Sequence, residues 1–165
     1  MFKQYQVDIE GTDVMSSLIV NLVNQFPGLK QREEIKFATL GKDKGIAFYP
    51  TSGAAILNET ETIIGEVKQV CSYPFIIIYK SSPRTELERL KIKEFLDALG
   101  KWLERQPIKV NNKTYVLQEY PKTGSTRKIE SVELVQPAFL AGVDTNNVEH
   151  WEISCRVNYR NEFFK

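Results

Sequence analysis

Trp151-Glu152-Ile153-Ser154-Cys155-Arg156-Val157-Asn158-Tyr159-Arg160 alternates strictly between apolar and polar side chains. Successive side chains of a strand point to opposite faces, so this stretch buries Trp151, Ile153, Cys155, Val157 and Tyr159 and wets the residues between them. It predicts a long strand of an antiparallel sheet with one packed face. The cover for that face lies upstream. Met15, Leu18, Ile19, Leu22, Val23 and Phe26 recur at helical spacing and form one side of an amphipathic helix. Thr12 or Asp13 can cap it, and Pro27-Gly28 stops it. A longer helix, over about residues 86–105, collects Ile92, Phe95, Leu96, Leu99, Trp102 and Leu103 on one side. Its outer side offers the ion pairs Glu86/Arg89, Glu88/Lys91 and Asp97/Lys101.

The remaining strands are shorter signals. Residues 45–49 read as a strand ended by Pro50-Thr51-Ser52-Gly53, and 29–44 as a charged, turn-rich connection. Residues 67–79 read as a strand with a flaw at Tyr73-Pro74, because proline has no amide to donate and favours an edge or a break. Ile76-Ile77-Ile78 lacks alternation, which suggests burial on both faces. Ile108-Lys109-Val110 and Lys113-Thr114-Tyr115-Val116 flank Asn111-Asn112, a pair that tolerates the positive φ of a two-residue hairpin turn. Residues 126–136 form another strand, with Pro137 as its end. The expected fold is α+β: a mainly antiparallel sheet of about four to five strands with two helices packed on one face. The length, 165 residues, suits one domain spanning 1–165.

Composition narrows the classes of function. The chain is 42% hydrophobic and 26% charged, as in ordinary globular proteins. Its 22 basic and 21 acidic side chains leave a formal charge of +1, without the basic excess of a dedicated DNA binder. No apolar run approaches the length of a membrane span. Met1-Phe2-Lys3-Gln4-Tyr5-Gln6 lacks the apolar core of a signal peptide, so the cytosol is the default compartment. Cys71 and Cys155 read as buried free thiols rather than a disulfide. The single histidine, His150, has Ser154 and Cys155 close in sequence but no hydrolase motif around it. No CxxC, HxxxH or HExxH spacing suggests a metal, and Glu59, Glu61 and Glu66 lack the pattern of a calcium loop. Gly41-Lys42-Asp43-Lys44-Gly45 lacks the order of a phosphate-binding loop. The expectation is a protein with no catalytic residue, no metal and no cofactor.

Charge placement says more than total charge. Lys109, Lys113, Lys122, Arg127 and Lys128 face only Glu119 over 109–128, whereas 129–152 holds Glu130, Glu133, Asp144, Glu149 and Glu152 with no Lys or Arg. One reading is two solvated surfaces. The other is two complementary patches that bring copies together head to tail, closing into a ring where the rotation allows. The loop 57–66, the hairpin at Asn111-Asn112 and the 142–147 turn are the segments a core does not explain. Candidate subunit-interface residues are therefore Asn111, Asn112, Tyr115, Tyr120, Arg127, Lys128, Glu130, Glu133, Asp144 and Glu149. Tyrosine and arginine are favoured in interface hot spots.

Seven segments, in order, resemble the tail-terminator (minor capsid) proteins of long-tailed phages of Gram-positive bacteria. They are Ala47-Phe48-Tyr49-Pro50-Thr51-Ser52-Gly53-Ala54, Tyr73-Pro74-Phe75, Phe95-Leu96-Asp97-Ala98-Leu99-Gly100-Lys101-Trp102-Leu103, Tyr120-Pro121-Lys122, Arg127-Lys128-Ile129, Pro137-Ala138-Phe139-Leu140-Ala141-Gly142 and Val148-Glu149-His150-Trp151-Glu152-Ile153-Ser154. The resemblance implies a compact subunit that forms a ring, a hexamer, at the head-proximal end of the virion tail. Such a ring, assembled in the host bacterial cytoplasm, caps the tail tube protein and offers a surface to the head-completion protein. DNA passes through it, which implies no tight nucleic-acid binding, and it uses no membrane. The resemblance carries over no catalytic residue. Two alternatives remain open: a head–tail connector or tail-completion subunit of the same phage module, and a small binding domain unrelated to phage. An enzyme of unknown type is a further one.

Overall fold

A computed structural model describes residues 5–165. Residues 1–4, which belong to the stretch without a signal-peptide core, lie outside the described residues. In chain order the elements are β1 (Gln6–Val7), α1 (Ile9–Val23), β2 (Ile35–Phe37), β3 (Gly45–Pro50), β4 (Ala55–Glu61), β5 (Glu66–Ser81), α2 (Glu86–Leu103), β6 (Ile108–Val110), β7 (Lys113–Tyr115), β8 (Arg127–Val143) and β9 (Glu149–Phe164). Among the described residues seven strands make one sheet, and β6 and β7 form a separate hairpin. All pairings are antiparallel except β2 with β3.

The alternating stretch is the middle of this sheet. β9 pairs with β5 from Glu149↔Ser81 to Phe164↔Glu66, and with β8 along its other edge. Of its predicted inward set, Ile153, Cys155, Val157 and Tyr159 are buried, whereas Trp151 is only half-buried; Val67, Cys71, Tyr73, Phe75 and Ile77 of β5 are buried too. Both helices cover this face. Ser16 of α1 bonds the Tyr73 hydroxyl at 2.6 Å, and Phe95 of α2 sits edge-on to Tyr79 at 5.4 Å. Phe26, just past α1, contacts both Phe95 and Trp102, so the helices and sheet share one core.

The sheet has seven strands rather than four to five, for two reasons. The connection 29–44 contains β2, and residues before α1 contribute β1; both are too short to show a period. The row beside β5 is also divided: β4 pairs with Val67–Ser72 and β3 with Phe75–Lys80, both on the edge opposite β9. The stretch 57–66, expected as a loop, is thus β4 as far as Glu61, a turn over 62–65 and the first residue of β5.

Two prolines were misleading signals. Pro74 neither breaks β5 nor marks an edge. Its carbonyl accepts from the Thr51 amide, so its donorless nitrogen faces the gap where β3 gives way to β4. Pro137 does not end β8, which continues to Val143; the proline lies in a bulge where the register shifts between Gln136 and Phe139. Ile77 is fully buried, yet Ile76 and Ile78 are only half-buried, because among the described residues no helix covers the other face.

Local chemistry fixes the ends. α1 begins earlier than expected and is capped by Asp8, not Thr12 or Asp13: the Asp8 carboxylate accepts from the Gly11 amide at 3.0 Å. Thr12 instead donates to the Asp8 carbonyl and accepts from the Ala54 amide, anchoring the β3–β4 break to the helix. Thr85 caps α2, and Glu88 reaches back to the Arg84 amide. Of the expected helix pairs, Asp97 bonds Lys93 rather than Lys101. The β6–β7 turn has φ +50° at Asn111 and +65° at Asn112. Asn112→Val, which resists positive φ, is expected to cost about 1–2 kcal/mol, while Asn112→Gly leaves stability nearly unchanged; urea unfolding of the two variants distinguishes them.

Candidate assembly surfaces

The most concentrated polar chemistry is internal. Asp8 is 6% exposed and Arg127 8%. Arg127 Nη2 and Nε donate to the two Asp8 oxygens at 2.7 and 3.0 Å, and the Tyr159 hydroxyl donates at 2.7 Å. With the Gly11 amide, the carboxylate accepts four bonds. Burial alone would raise the Asp8 pKa, but the bonds from Arg127, Tyr159 and Gly11 hold it below its ordinary value of 3.8. The bond to Asp8 likewise pushes Arg127 up against the opposing effect of burial. Burial pushes the Tyr159 hydroxyl up, with Asp8 adding to the effect. Beside it Asn161 donates to Gln69 at 3.0 Å, and Gln69 to Glu59 at 2.7 Å. This cluster ties α1, β8 and β9 together.

Cys71 and Cys155 are free and buried, on the core face; burial pushes the Cys71 thiol up to about 11 and Cys155 higher still. Neither is a ready thiolate. His150 stands opposite Lys80 and Gly142 in the ladder. Glu59, Glu61 and Glu66 each turn to a different partner, Gln69, Lys165 and Lys68. Among the described residues no group of His, Cys, Asp and Glu is gathered for a metal. The 41–45 turn is held by Lys80 Nζ on the Gly41 carbonyl at 3.0 Å.

The candidate interface residues divide by environment. Asn111, Asn112 and Tyr115 are exposed on the β6–β7 hairpin, and Lys128 is exposed on β8. Arg127 is turned inward onto Asp8 and has no surface to offer. Glu149 is also buried, accepting from Arg89 at 2.9 Å and from the Trp151 indole at 3.0 Å. Tyr120 is half-buried, its hydroxyl donating to the Leu103 carbonyl at 2.7 Å and accepting the Val132 amide at 3.1 Å. Glu130 pairs with Arg160 at 2.6 Å and Glu133 with Arg156 at 2.5 Å. Asp144 accepts from the Val148 and Asn146 amides, which hold its carboxyl below the usual range and close the β8–β9 turn.

The acidic segment is therefore largely neutralised within the subunit. Three of its five carboxylates meet arginines from β9 and α2, leaving Asp144 and Glu152. Lys109, Lys113, Lys122 and Lys128 have no ion pair among the described residues. Charge counted along sequence overstated one patch because antiparallel neighbours are distant in sequence.

Sequence reading also missed where apolar side chains stay in water. Ile63 and Ile64, in the β4–β5 turn, are exposed, and Phe164 beside them on β9 is 68% exposed. The helix-free sheet face adds half-buried Tyr49, Ile76 and Ile78. Adjacent isoleucines in a predicted loop were the available signal. Comparison with known protein families and with curated proteins gives no match to this chain.

Proposed function

We propose that this chain is a structural subunit of a long-tailed phage that caps the tail tube, stops its elongation and presents the head-joining surface. The observation that carries the assembly part of this reading is the exposed apolar end formed by Ile63, Ile64 and Phe164. A folded chain that leaves branched aliphatic and aromatic side chains in water at one end of its sheet has a surface suited to docking on another protein. The phage part rests on the ordered motif resemblance from Ala47 to Ser154. The reading assigns no catalytic residue: the buried polar cluster is saturated by its own hydrogen bonds and serves to hold α1. A hexameric ring, with tube protein on one side and head-completion protein on the other, belongs to the same proposal.

Deleting the gene from its phage and imaging the lysate by electron microscopy tests it. Over-long, uncapped tails beside full heads are expected. Tails of normal length that fail to join heads would move the protein to the connector reading, and normal virions would end both.

A further inference from the structure

Folding neutralises the acidic half of the charge pattern and leaves the basic half free. Arg89, Arg156 and Arg160 take up Glu149, Glu133 and Glu130. Lys122, Lys128 and Arg105, by contrast, meet no carboxylate among the described residues. These three cations line one cleft of about 790 Å³, between the loop 119–125 and the first residues of β8. Two carboxylates line it as well. Glu130 is held by Arg160 at 2.6 Å, which leaves Glu119 alone against three unpaired cations.

The walls of this cleft are fixed by hydrogen bonds. The Tyr120 hydroxyl is held between the Leu103 carbonyl and the Val132 amide. Thr123 donates to the Arg127 carbonyl and Ser125 accepts the Arg127 amide at 3.2 Å, so the loop is laced onto β8. Arg105 follows α2 where its own amide bonds the Trp102 carbonyl and the Gln106 amide bonds the Lys101 carbonyl, with φ +63°. Glycine usually fills that position, because a side chain there costs stability. The arginine puts its side chain to use. Nε donates to the Leu117 carbonyl at 3.1 Å and Nη2 to the Gln118 carbonyl, and the guanidinium carbon lies 5.9 Å from the centre of the Tyr120 ring. Among the described residues no bond takes up Nη1. A cation is thus held in place before any partner arrives.

We infer that this cleft docks an acidic segment of a partner protein different in sequence from this chain, whose Asp or Glu side chains meet Arg105, Lys122 and Lys128. Complementary charge is what selects such a partner, and the guanidinium fork suits a carboxylate. A second copy is the poorer match, because the acidic stretch 129–152 is already largely neutralised by its own arginines. Nucleic acid is also the poorer match. Its phosphates follow one another without a break and would pass Glu119, whereas carboxylates on a peptide can be spaced to avoid it. The inference holds with or without the tail reading, since it concerns the charge of a partner and not the role of the complex.

Fluorescence anisotropy of a labelled octaglutamate peptide, titrated with the full chain at about 0.1 M salt, is expected to show saturable binding that weakens as salt is raised. Lys122→Glu with Lys128→Glu, both exposed positions, is expected to weaken binding about tenfold or more with an unchanged circular dichroism spectrum. Lys36→Glu with Lys44→Glu reverses the same amount of charge in the cleft beside Lys80. Lys80 and Lys128 stand opposite His150 and Arg160, ten residues apart on β9 and so about 33 Å. That separation exceeds the screening length of about 10 Å, so this second pair is expected to leave binding within about twofold. Absence of peptide binding, equal loss in the two double variants, or a DNA octanucleotide of similar charge bound through Lys122 and Lys128 at least as tightly would each overturn the inference.

Discussion

Asp8→Asn is expected to destabilise the fold by about 3–5 kcal/mol, the usual cost of removing one partner from a buried ion pair. Asparagine is nearly isosteric and still caps a helix, so neither packing nor the cap accounts for a loss of that size. What remains is a guanidinium, 8% exposed, without its counter-charge. Arg127→Met in the same background removes the stranded charge and is expected to recover much of the loss. Urea midpoints of the two single variants and the double variant close the cycle; strict additivity would show that the two groups do not act together. The same pair gives a pH dependence. The folded-state pKa of Asp8 is depressed, so its stabilising contribution is present in full above the ordinary value of 3.8 and is lost as pH falls through the lower folded-state value. In Asp8→Asn that part of the acid limb disappears.

Gly11→Ala carries the second large expectation, and its sign is the informative part. In an open helix the change would stabilise by about 1 kcal/mol. Here an alanine Cβ would run into the Asp8 carboxylate and lie 2.5 Å from the Tyr159 hydroxyl, itself fixed in the central strand. Backing away breaks charge-assisted bonds worth about 1.5–3 kcal/mol each, and staying means overpacking at about 1–3 kcal/mol. A net loss of about 2–3 kcal/mol is expected. An unchanged or raised thermal midpoint would show that α1 can shift and that the cluster is looser than its distances indicate.

The fold was legible where a period ran long enough to be heard. Ten alternating residues located the centre of the sheet, and two helical stripes located its cover. β1 and β2, at two and three residues, have no period to read, and the β3–β4 break is set by Thr12 and Asp8, distant in sequence. Pro74 and Pro137 misled because the cost of a missing donor depends on what lies opposite it, which a sequence does not state. The site was less legible still. Arg127 and Glu149 have the composition of surface residues and are interior, because Asp8 and Arg89 face them from other elements. Only a three-dimensional pairing separates a free charge from a spent one.

That β9 lies between β5 and β8 also constrains how the chain comes to be folded. During synthesis both flanking strands exist before the strand that joins them, and β5 waits through some eighty residues for its partner, from Ser81↔Glu149 to Glu66↔Phe164. Closing so long a loop is slow, and until it closes the Cys71, Tyr73 and Phe75 face has no neighbour on that side. The hydrophobic middle of β5 is then the segment most in need of a chaperone. Yield in an overproducing cell is therefore expected to be limited by arrival of the last strand, not by the stability of the finished sheet.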